Sequence, residues 1–287
     1  MNLYDISLEM RDALEEKRKQ LELSFIEEDH IYYMRDLNGE IKSNFPSVSR
    51  LISKFHKHFD SEGKALQMCK GDPEGAKELL AEWKQAGDLS TNMGSRVHFE
   101  LETDTIDRFG KYKNVRQPIF DINEEQQRKS DAMIGAGKEF LDLMLERGGV
   151  LLDTEMVLGD PEEGYTGQPD KVWLVIGTNG KVGILITDWK SNKPKNFEVT
   201  RYTKKMKKPF EDLPDNALGH YNTQLPFYGK LILKMLEGSK YEDIQLLGCI
   251  IVLITDEREY HEHRVSKKTM NKILEMDIKQ HLTKLKK

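Results

Sequence analysis

Apolar positions change their spacing about halfway along the chain. Residues 5–23 place Leu8, Leu14 and Leu21 thinly among charges, which predicts a charged helix. Two short strand-like runs follow, Phe25–Tyr33 and Glu40–Phe45. The turn signal Asn38-Gly39 between them predicts a hairpin. Pro46-Ser47 then opens a helix running to Phe55. Residues 75–85 are amphipathic, with Leu79, Leu80 and Trp83 on one side, and Ser90 or Thr91 is placed to cap a following helix that carries Val97, His98, Leu101 and Glu102. A long helical pattern from about Glu124 to Leu145 stops at Gly148-Gly149.

Beyond Gly149 the pattern turns to strands. Val150–Leu158 is one candidate. Residues 171–177 and 181–189 are β-branched apolar runs split by Thr178-Asn179-Gly180, a hairpin of buried strands. Ala217–Leu236 predicts a helix, Ile244–Thr255 a buried strand and Tyr260–Val265 a polar one. Lys267–Leu285 predicts a basic amphipathic helix. The order predicts an α+β fold with a central mixed β-sheet flanked by helices. Residues 1–60 form an N-terminal helix-and-hairpin appendage in this reading, and residues 61–287 the main core.

Composition narrows the classes. Of 287 residues, 38% are hydrophobic and 32% charged, which suits a globular chain and excludes disorder. The absence of an apolar run of spanning length argues against a membrane segment. The acidic opening MNLYDISLEMRDALEE lacks the apolar stretch of a secretory or transit signal, so a cytoplasmic setting is expected. Two cysteines, Cys69 and Cys249, are too few for a disulfide framework or a cysteine-bound iron–sulfur cluster. With a net charge of −5, a nucleic-acid partner requires a local basic patch.

The candidate chemistry lies in Gly167-Gln168-Pro169-Asp170, the hairpin after it, and Asp188-Trp189-Lys190. On a strand, residues i and i+2 share a face, so Asp188 and Lys190 project together and Trp189 points away. A turn centred on Asn179 sets Asp170 directly opposite Asp188, with Cα atoms about 4.5–5.5 Å apart. A two-residue turn at Asn179-Gly180 moves the register by one and separates them. Two carboxylates that close repel unless a cation sits between them, and an all-oxygen site suits Mg²⁺ or Mn²⁺. The plain alternative for Asp188 and Lys190 is an ion pair at a strand end.

Further residues weigh on the choice. His98 and Glu102 share a helix face one turn apart. Glu155 lies on the strand before Asp170 and offers a third carboxylate. Gln224 and Tyr228 are one helical turn apart, with tips able to reach a phosphate or base edge. A basic stretch follows the Asp188 strand: Lys193, Lys195, Arg201, Lys204, Lys205, Lys207 and Lys208, with Phe197 and Tyr202 interleaved. It suits backbone-phosphate binding with base stacking.

Taken together these residues resemble the PD-(D/E)XK nuclease superfamily in its RecB-like exonuclease branch. The blocks are Gly94 and His98 with Glu102, then Glu155, Gly167 with Asp170, Asp188 with Lys190, and Gln224 with Tyr228, in the order of that branch. Leu80-x-x-Trp83 and the opening hairpin with His30, Tyr32 and Pro46-Ser47-Val48-Ser49 look like phage-type members. Asp188-Trp189-Lys190-Ser191-Asn192-Lys193-Pro194-Lys195 is similar to the mitochondrial genome maintenance exonucleases. The resemblance spans about residues 25–255. Asp-x-Lys stands here where Glu-x-Lys is commoner.

The resemblance implies a restriction-endonuclease-like core acting on DNA ends or single strands with Mg²⁺ or Mn²⁺, two ions by family analogy, and no iron–sulfur cluster. Asp170, Asp188 and Lys190 are then catalytic. His98, Glu155, Asp170, Asp188 and the Trp189 carbonyl are the metal ligands. Gln224, Tyr228 and the basic residues Lys193, Lys195, Arg201, Lys204 and Lys205 contact DNA. A recombination, repair or phage DNA-processing role, with a replication or recombination protein as partner, belongs to the same expectation. An endonuclease and a non-cleaving DNA-binding module of this fold are the competing readings.

Overall fold

The computed structural model describes residues 2–26, 28–43, 45–109 and 118–282. Helix α1 (Leu3–Gln20) starts at Asn2, whose side chain accepts from the Asp5 N–H at 2.8 Å in a capping box. Met10 and Leu14 face inward from it, while Leu8 is left exposed. The expected strand Phe25–Tyr33 is two strands, β1 (Ser24–Ile26) and β2 (Ile31–Arg35), because the chain turns back at residues 28–30 and His30 takes a left-handed φ of 52°. Glu27, inside that run, lies outside the described residues. The Asn38-Gly39 turn joins β2 to β3 (Ile41–Lys42), shorter than the expected Glu40–Phe45, of which Asn44 lies outside the described residues. Ser47 caps α2 (Val48–Ile52), which runs into a 3-10 turn over Ser53–Phe55.

Helix α3 (Ser61–Met68) leads into α4 (Pro73–Phe109), which continues through Ser90 and Thr91. The cap expected there does not form. Ser and Thr cost a helix interior only about 0.5 kcal/mol each, too little to end it without a proline. Helix α5 (Glu124–Glu146) is capped by Asn123 and stops before Gly148, at φ 77°. Gly137 of α5 sits against Leu101 of α4. A Cβ there would lie 2.5 Å from a Leu101 methyl, so the two helices cross at glycine distance.

Strand β4 (Val150–Thr154) ends earlier than the expected Leu158. It pairs with β7 (Lys171–Ile176), and that pairing stops at Thr154 opposite Lys171, with Pro169 just beyond. Proline has no N–H to extend a ladder. The chain turns at Glu155 (φ 47°) and forms a separate hairpin of β5 (Leu158–Asp160) and β6 (Tyr165–Gly167). Strand β8 (Val182–Lys190) completes the predicted hairpin with β7. Helix α6 (Ala217–Leu236) crosses over to β9 (Gln245–Ile254), parallel to β8, and β10 (Tyr260–Arg264) closes the order β10-β9-β8-β7-β4. The sheet is thus mixed, as expected. The predicted C-terminal helix is two, α7 (Lys267–Leu274) and α8 (Lys279–Leu282), broken where Ile278 is buried. Residues 283–287 lie outside the described residues.

Alternation along the strands splits the core by face. Val172, Leu174, Ile184, Ile186 and Ile251 pack under α1, α2, α6 and α7. Trp173, Trp189, Ile250, Val252 and Ile254 pack under α4 and α5, with Phe140 edge-on to Trp189 at 5.5 Å. Met10, Leu14, Tyr32, Met34 and Val48 belong to the first of these clusters, so residues 1–60 share one core with the sheet. Among the described residues no helix is long and apolar enough to cross a membrane.

Gly137→Val should push α4 off α5 at the turn that follows His98. We expect a loss of roughly 1–3 kcal/mol in urea unfolding, the usual scale of overpacking; Gly180→Ala, in open space at the hairpin tip but at φ 74°, should cost less.

Candidate active site

The β7–β8 register decides where the acids fall. Lys171 opposes Thr187 and Ile176 opposes Val182, symmetric about Asn179. One step further, Asp170 faces Asp188. The turn is held by the Gly177 N–H donating to the Lys181 carbonyl at 2.8 Å and by the Asn179 side chain accepting from the Lys181 N–H at 3.0 Å. Of the two registers open from sequence, this is the one that joins the carboxylates.

Both acids are buried, Asp170 to 6% and Asp188 to 2% exposure. Asp170 Oδ2 accepts from the Trp189 backbone N–H at 2.7 Å and lies 3.4 Å from His98 Nδ1. Asp188 Oδ2 meets Lys190 Nζ at 2.5 Å. Lys190 also lies 4.6 Å above the Tyr221 ring, and the Tyr221 hydroxyl donates to Asn192 Oδ1 at 2.8 Å. Trp189 turns its side chain to the other face, as strand alternation requires.

Electrostatics separate the two acids. Burial raises the Asp170 carboxyl, but the His98 charge and hydrogen bond and then Lys190 outweigh it, so its pKa lies well below the usual range. Burial, then the Asp170 charge beside it, pushes Asp188 up to about 7. Burial opposes the charge on Lys190 too, yet Asp188 and Asp170 raise it above an ordinary lysine. Lys190 therefore stays a cation.

His98, Glu155 and Asp170 each place one ligand atom within 4.8 Å of the others. The Glu155 N–H donates to the Asp170 carbonyl at 3.1 Å, and its own carbonyl accepts from Gln168 at 3.2 Å. Those two bonds hold the left-handed turn that brings Glu155 to Asp170. The donor set, one imidazole and carboxylate oxygens, is that of a hard divalent ion such as Mg²⁺ or Mn²⁺. Two buried carboxylates and the half-buried Glu155 converge beside a single ammonium, which leaves negative charge for a cation to offset, so the residues fit such an ion. Asp188 flanks the trio and is committed to Lys190. Glu102 lines the same cleft one turn along α4.

Two glycines allow the close approaches. A Cβ on Gly167 would lie 2.7 Å from the Tyr228 ring, and one on Gly94 3.1 Å from the Ser191 hydroxyl. The first lets α6 pack against the strand end, and the second lets α4 bring His98 over β8.

Gln224 and Tyr228 are buried behind the acids. Gln224 Nε2 donates to Tyr228 Oη at 2.8 Å and to Ser49 Oγ at 3.0 Å, and neither residue lines the cleft. Tyr221, three residues before Gln224, is the α6 residue on the cleft wall. Sequence reading missed it, although its place one turn before Gln224 was a usable signal.

Lys193, Lys195, Arg201, Lys204 and Lys205 are exposed and outside the cleft. Phe197 is not available for stacking on a base. It is buried between Tyr221 and His263, at ring distances of 5.8 and 5.1 Å, and pins the segment to the fold. Tyr202 is 76% exposed, with the Arg201 guanidinium 4.7 Å over its ring.

A second cluster adjoins the site at the start of α6. His56 Nδ1 lies 2.6 Å from Asp215 Oδ1, and His56 Nε2 lies 3.0 Å from His220 Nδ1. Burial, then His56 and Lys190, pushes His220 down to about 4.

Two outcomes follow. At Mn²⁺ a hundredfold above its dissociation constant, the wild-type chain should gain about 2.7 kcal/mol of stability, and Asp170→Asn should gain little, as read by thermal unfolding. His220 gives a pH signature of opposite origin. The unfolded chain binds a proton at this histidine below about 6.5, whereas the folded chain waits until about 4. Stability from this group is therefore present above 6.5 and lost as pH falls towards 4, and His220→Gln should flatten the profile of urea midpoints across that window. No protein-family model matches the chain, and no curated protein matches it.

Proposed function

We propose that this chain is a divalent-cation-dependent deoxyribonuclease with a PD-(D/E)XK core, hydrolysing phosphodiester bonds at DNA ends or in single strands. One observation carries the reading: Asp170 and Asp188 buried side by side, with Glu155 and His98 beside one and Lys190 on the other. A structural ion pair needs neither the second acid nor the third, and gathering further carboxylates beside a buried one is costly. The mixed sheet, with Asp170 before one strand and Asp188 and Lys190 ending its neighbour, is consistent with that core.

Asp170, Glu155 and His98 would hold an ion, with Asp188 and the Trp189 carbonyl as further ligands by the family analogy, and it would supply Lewis-acid activation and offset charge at the phosphate; a second ion is part of the same analogy. The remaining steps belong to side chains. Water attacks phosphorus in line with the departing sugar oxygen: the new P–O bond forms as the bond to that oxygen breaks, the water gives up its proton to solvent, the departing oxygen takes one from solvent, and negative charge grows on the non-bridging oxygens. Lys190 keeps its proton, so it acts as a hydrogen-bond donor and charge stabiliser rather than a base. Asp188 and the Tyr221 ring fix its direction. Gln224 and Tyr228 are buried and bonded to each other and to Ser49, and a direct contact with DNA, proposed for them by analogy, requires them to become accessible. Lys193, Lys195, Arg201, Lys204 and Lys205 bind the backbone outside the cleft, where phosphate contacts position without reading sequence. A role in recombination, repair or phage DNA processing, in a cytoplasmic setting and beside a replication or recombination protein, is part of the proposal.

End-labelled linear DNA with Mg²⁺ or Mn²⁺ should release nucleotides, while covalently closed circles stay intact. Lys190→Met should slow release by about 10²–10³-fold, the scale of one lost charge-stabilising donor. Asp170→Asn and Asp188→Asn should reduce it at least as far. Undiminished release by these variants would overturn the assignment, and nicking of closed circles would favour an endonuclease.

A further inference from the structure

The histidine pair at the start of α6 takes no part in the chemistry above, yet it stands next to the ring beneath Lys190. His56 follows the 3-10 turn, Asp215 precedes the Asn216 cap of α6, and His220 lies in the first turn of that helix. Asp215 Oδ2 accepts from the Lys57 N–H at 3.1 Å, and Oδ1 meets His56 Nδ1 at 2.6 Å. A carboxylate accepts, so His56 donates from Nδ1. With one proton on each ring the order is then fixed: His56 Nε2 accepts, and His220 Nδ1 donates to it at 3.0 Å. The two rings are stacked, with centroids 5.1 Å apart and 28° between their planes. The backbone beneath the row is tied down as well. The Asp215 N–H donates to the Lys204 carbonyl at 2.7 Å, and the Lys207 N–H donates to the Phe55 carbonyl, next to His56, at 2.7 Å.

The row ends against Tyr221. His220 stands edge-on to that ring at 5.3 Å, Phe197 lies at 5.8 Å, and the Lys190 ammonium lies 4.6 Å over it. We propose that Asp215, His56 and His220 are positioning residues: together they hold the Tyr221 ring, and the ring holds the Lys190 ammonium in place for the phosphate. What Lys190 does at the phosphate rests on the nuclease reading, whereas the linkage to Tyr221 does not. The placement of charge suits this task. Lys190 has to stay with Asp188. A cationic anchor beside Tyr221 would repel the ammonium, and a carboxylate there would compete with Asp188 for it. Two imidazoles stand between instead. The anchor keeps the strength of a bond to a carboxylate, and the negative charge is two rings removed from Lys190. His220, pushed down to about 4, brings no second positive charge near Lys190 at neutral pH. The attraction of an ammonium for an aromatic face depends on where that face lies, so a fixed ring fixes the cation.

The test reads Lys190 directly, by NMR of the full chain with Mg²⁺ and lysine labelled with ¹³C at Cε. The Lys190 resonance is assigned by its loss in Lys190→Met, and the Tyr221 ring should shift its Hε protons upfield. His220→Ala should return that resonance towards the position of an exposed lysine. His220→Asn, whose amide keeps a donor where Nδ1 stood, should restore it. His56→Gln, which keeps an acceptor for His220 but releases Asp215, should move it in the same direction as His220→Ala without emptying the space between the segments. On end-labelled DNA, His220→Ala should lower kcat by about ten- to a hundredfold with KM unchanged, the scale of a misplaced group, and His220→Asn should recover most of that loss. In a Lys190→Met background, His220→Ala should lower kcat no further, because both changes remove one interaction. An unmoved Lys190 resonance in both His220→Ala and His56→Gln, or an equal loss of kcat with and without Lys190, would overturn the proposal. The nuclease reading fails separately: a resonance that moves as expected in a chain that cleaves no DNA keeps the linkage and removes the chemistry, while metal-dependent cleavage with an unmoved resonance does the reverse.

Discussion

Two buried carboxylates of like charge, forced together by a hairpin register, set the terms for everything around them. At about 4 Å and an effective dielectric near 20 their repulsion is about 4 kcal/mol, before any cost of burial. Each neighbour answers part of that. The Trp189 N–H and the His98 ring hold the charge on Asp170. Lys190 faces Asp188, and its own charge survives burial only because the acids are there. The cluster is thus mutually dependent. Asp188 without Lys190 is an isolated buried acid, and Lys190 without the acids is an isolated buried base, each strongly disfavoured.

The backbone that delivers these groups depends on residues with no charge. Pro169 stops the β4–β7 ladder, which frees Glu155 to turn back towards Asp170. Gly167 gives the Tyr228 ring room, and Gly94 lets α4 pass Ser191 so that His98 reaches over the strand ends. Gly137 in turn sets how near α4 runs to α5. The spacing of glycines in the motifs is a packing requirement, and the chemistry inherits it.

The sheet strands and α6 were legible because their signals are local. Long apolar β-branched runs split by Asn-Gly leave little choice, and Ala217–Leu236 matched its helix residue for residue. The pairing of Asp170 with Asp188 was legible as one of two registers. Other elements failed where a local preference was weaker than its context. Ser90 and Thr91 are good caps, but a 37-residue helix ran through them. The expected strand through Leu158 broke because its partner strand could not continue past a proline. Phe197 read as an exposed stacking ring, yet the fold spends it on Tyr221 and His263. Tyr221 was passed over although it stands one turn before Gln224, because helical spacing gives its face of α6 but not which of the two residues α6 sets against Lys190.

The N-terminal module shows why such tertiary facts matter for function. Read as an appendage, residues 1–60 could drift relative to the acids. In the structure Met10, Leu14, Tyr32, Met34 and Val48 share a core with Val172, Ile184 and Ile186, the inner face of the two strands that lead from Asp170 and to Asp188. Packing at interior density transmits displacement rather than absorbing it. The rings of the β1–β2 hairpin and the arginines of α1 are therefore held at a fixed distance from the acidic cluster. A cleft built this way is preorganised, so that whatever enters it need not order the walls. The same apolar contacts that fold the chain thereby set the span between the walls of the cleft and Asp170, Asp188 and Lys190.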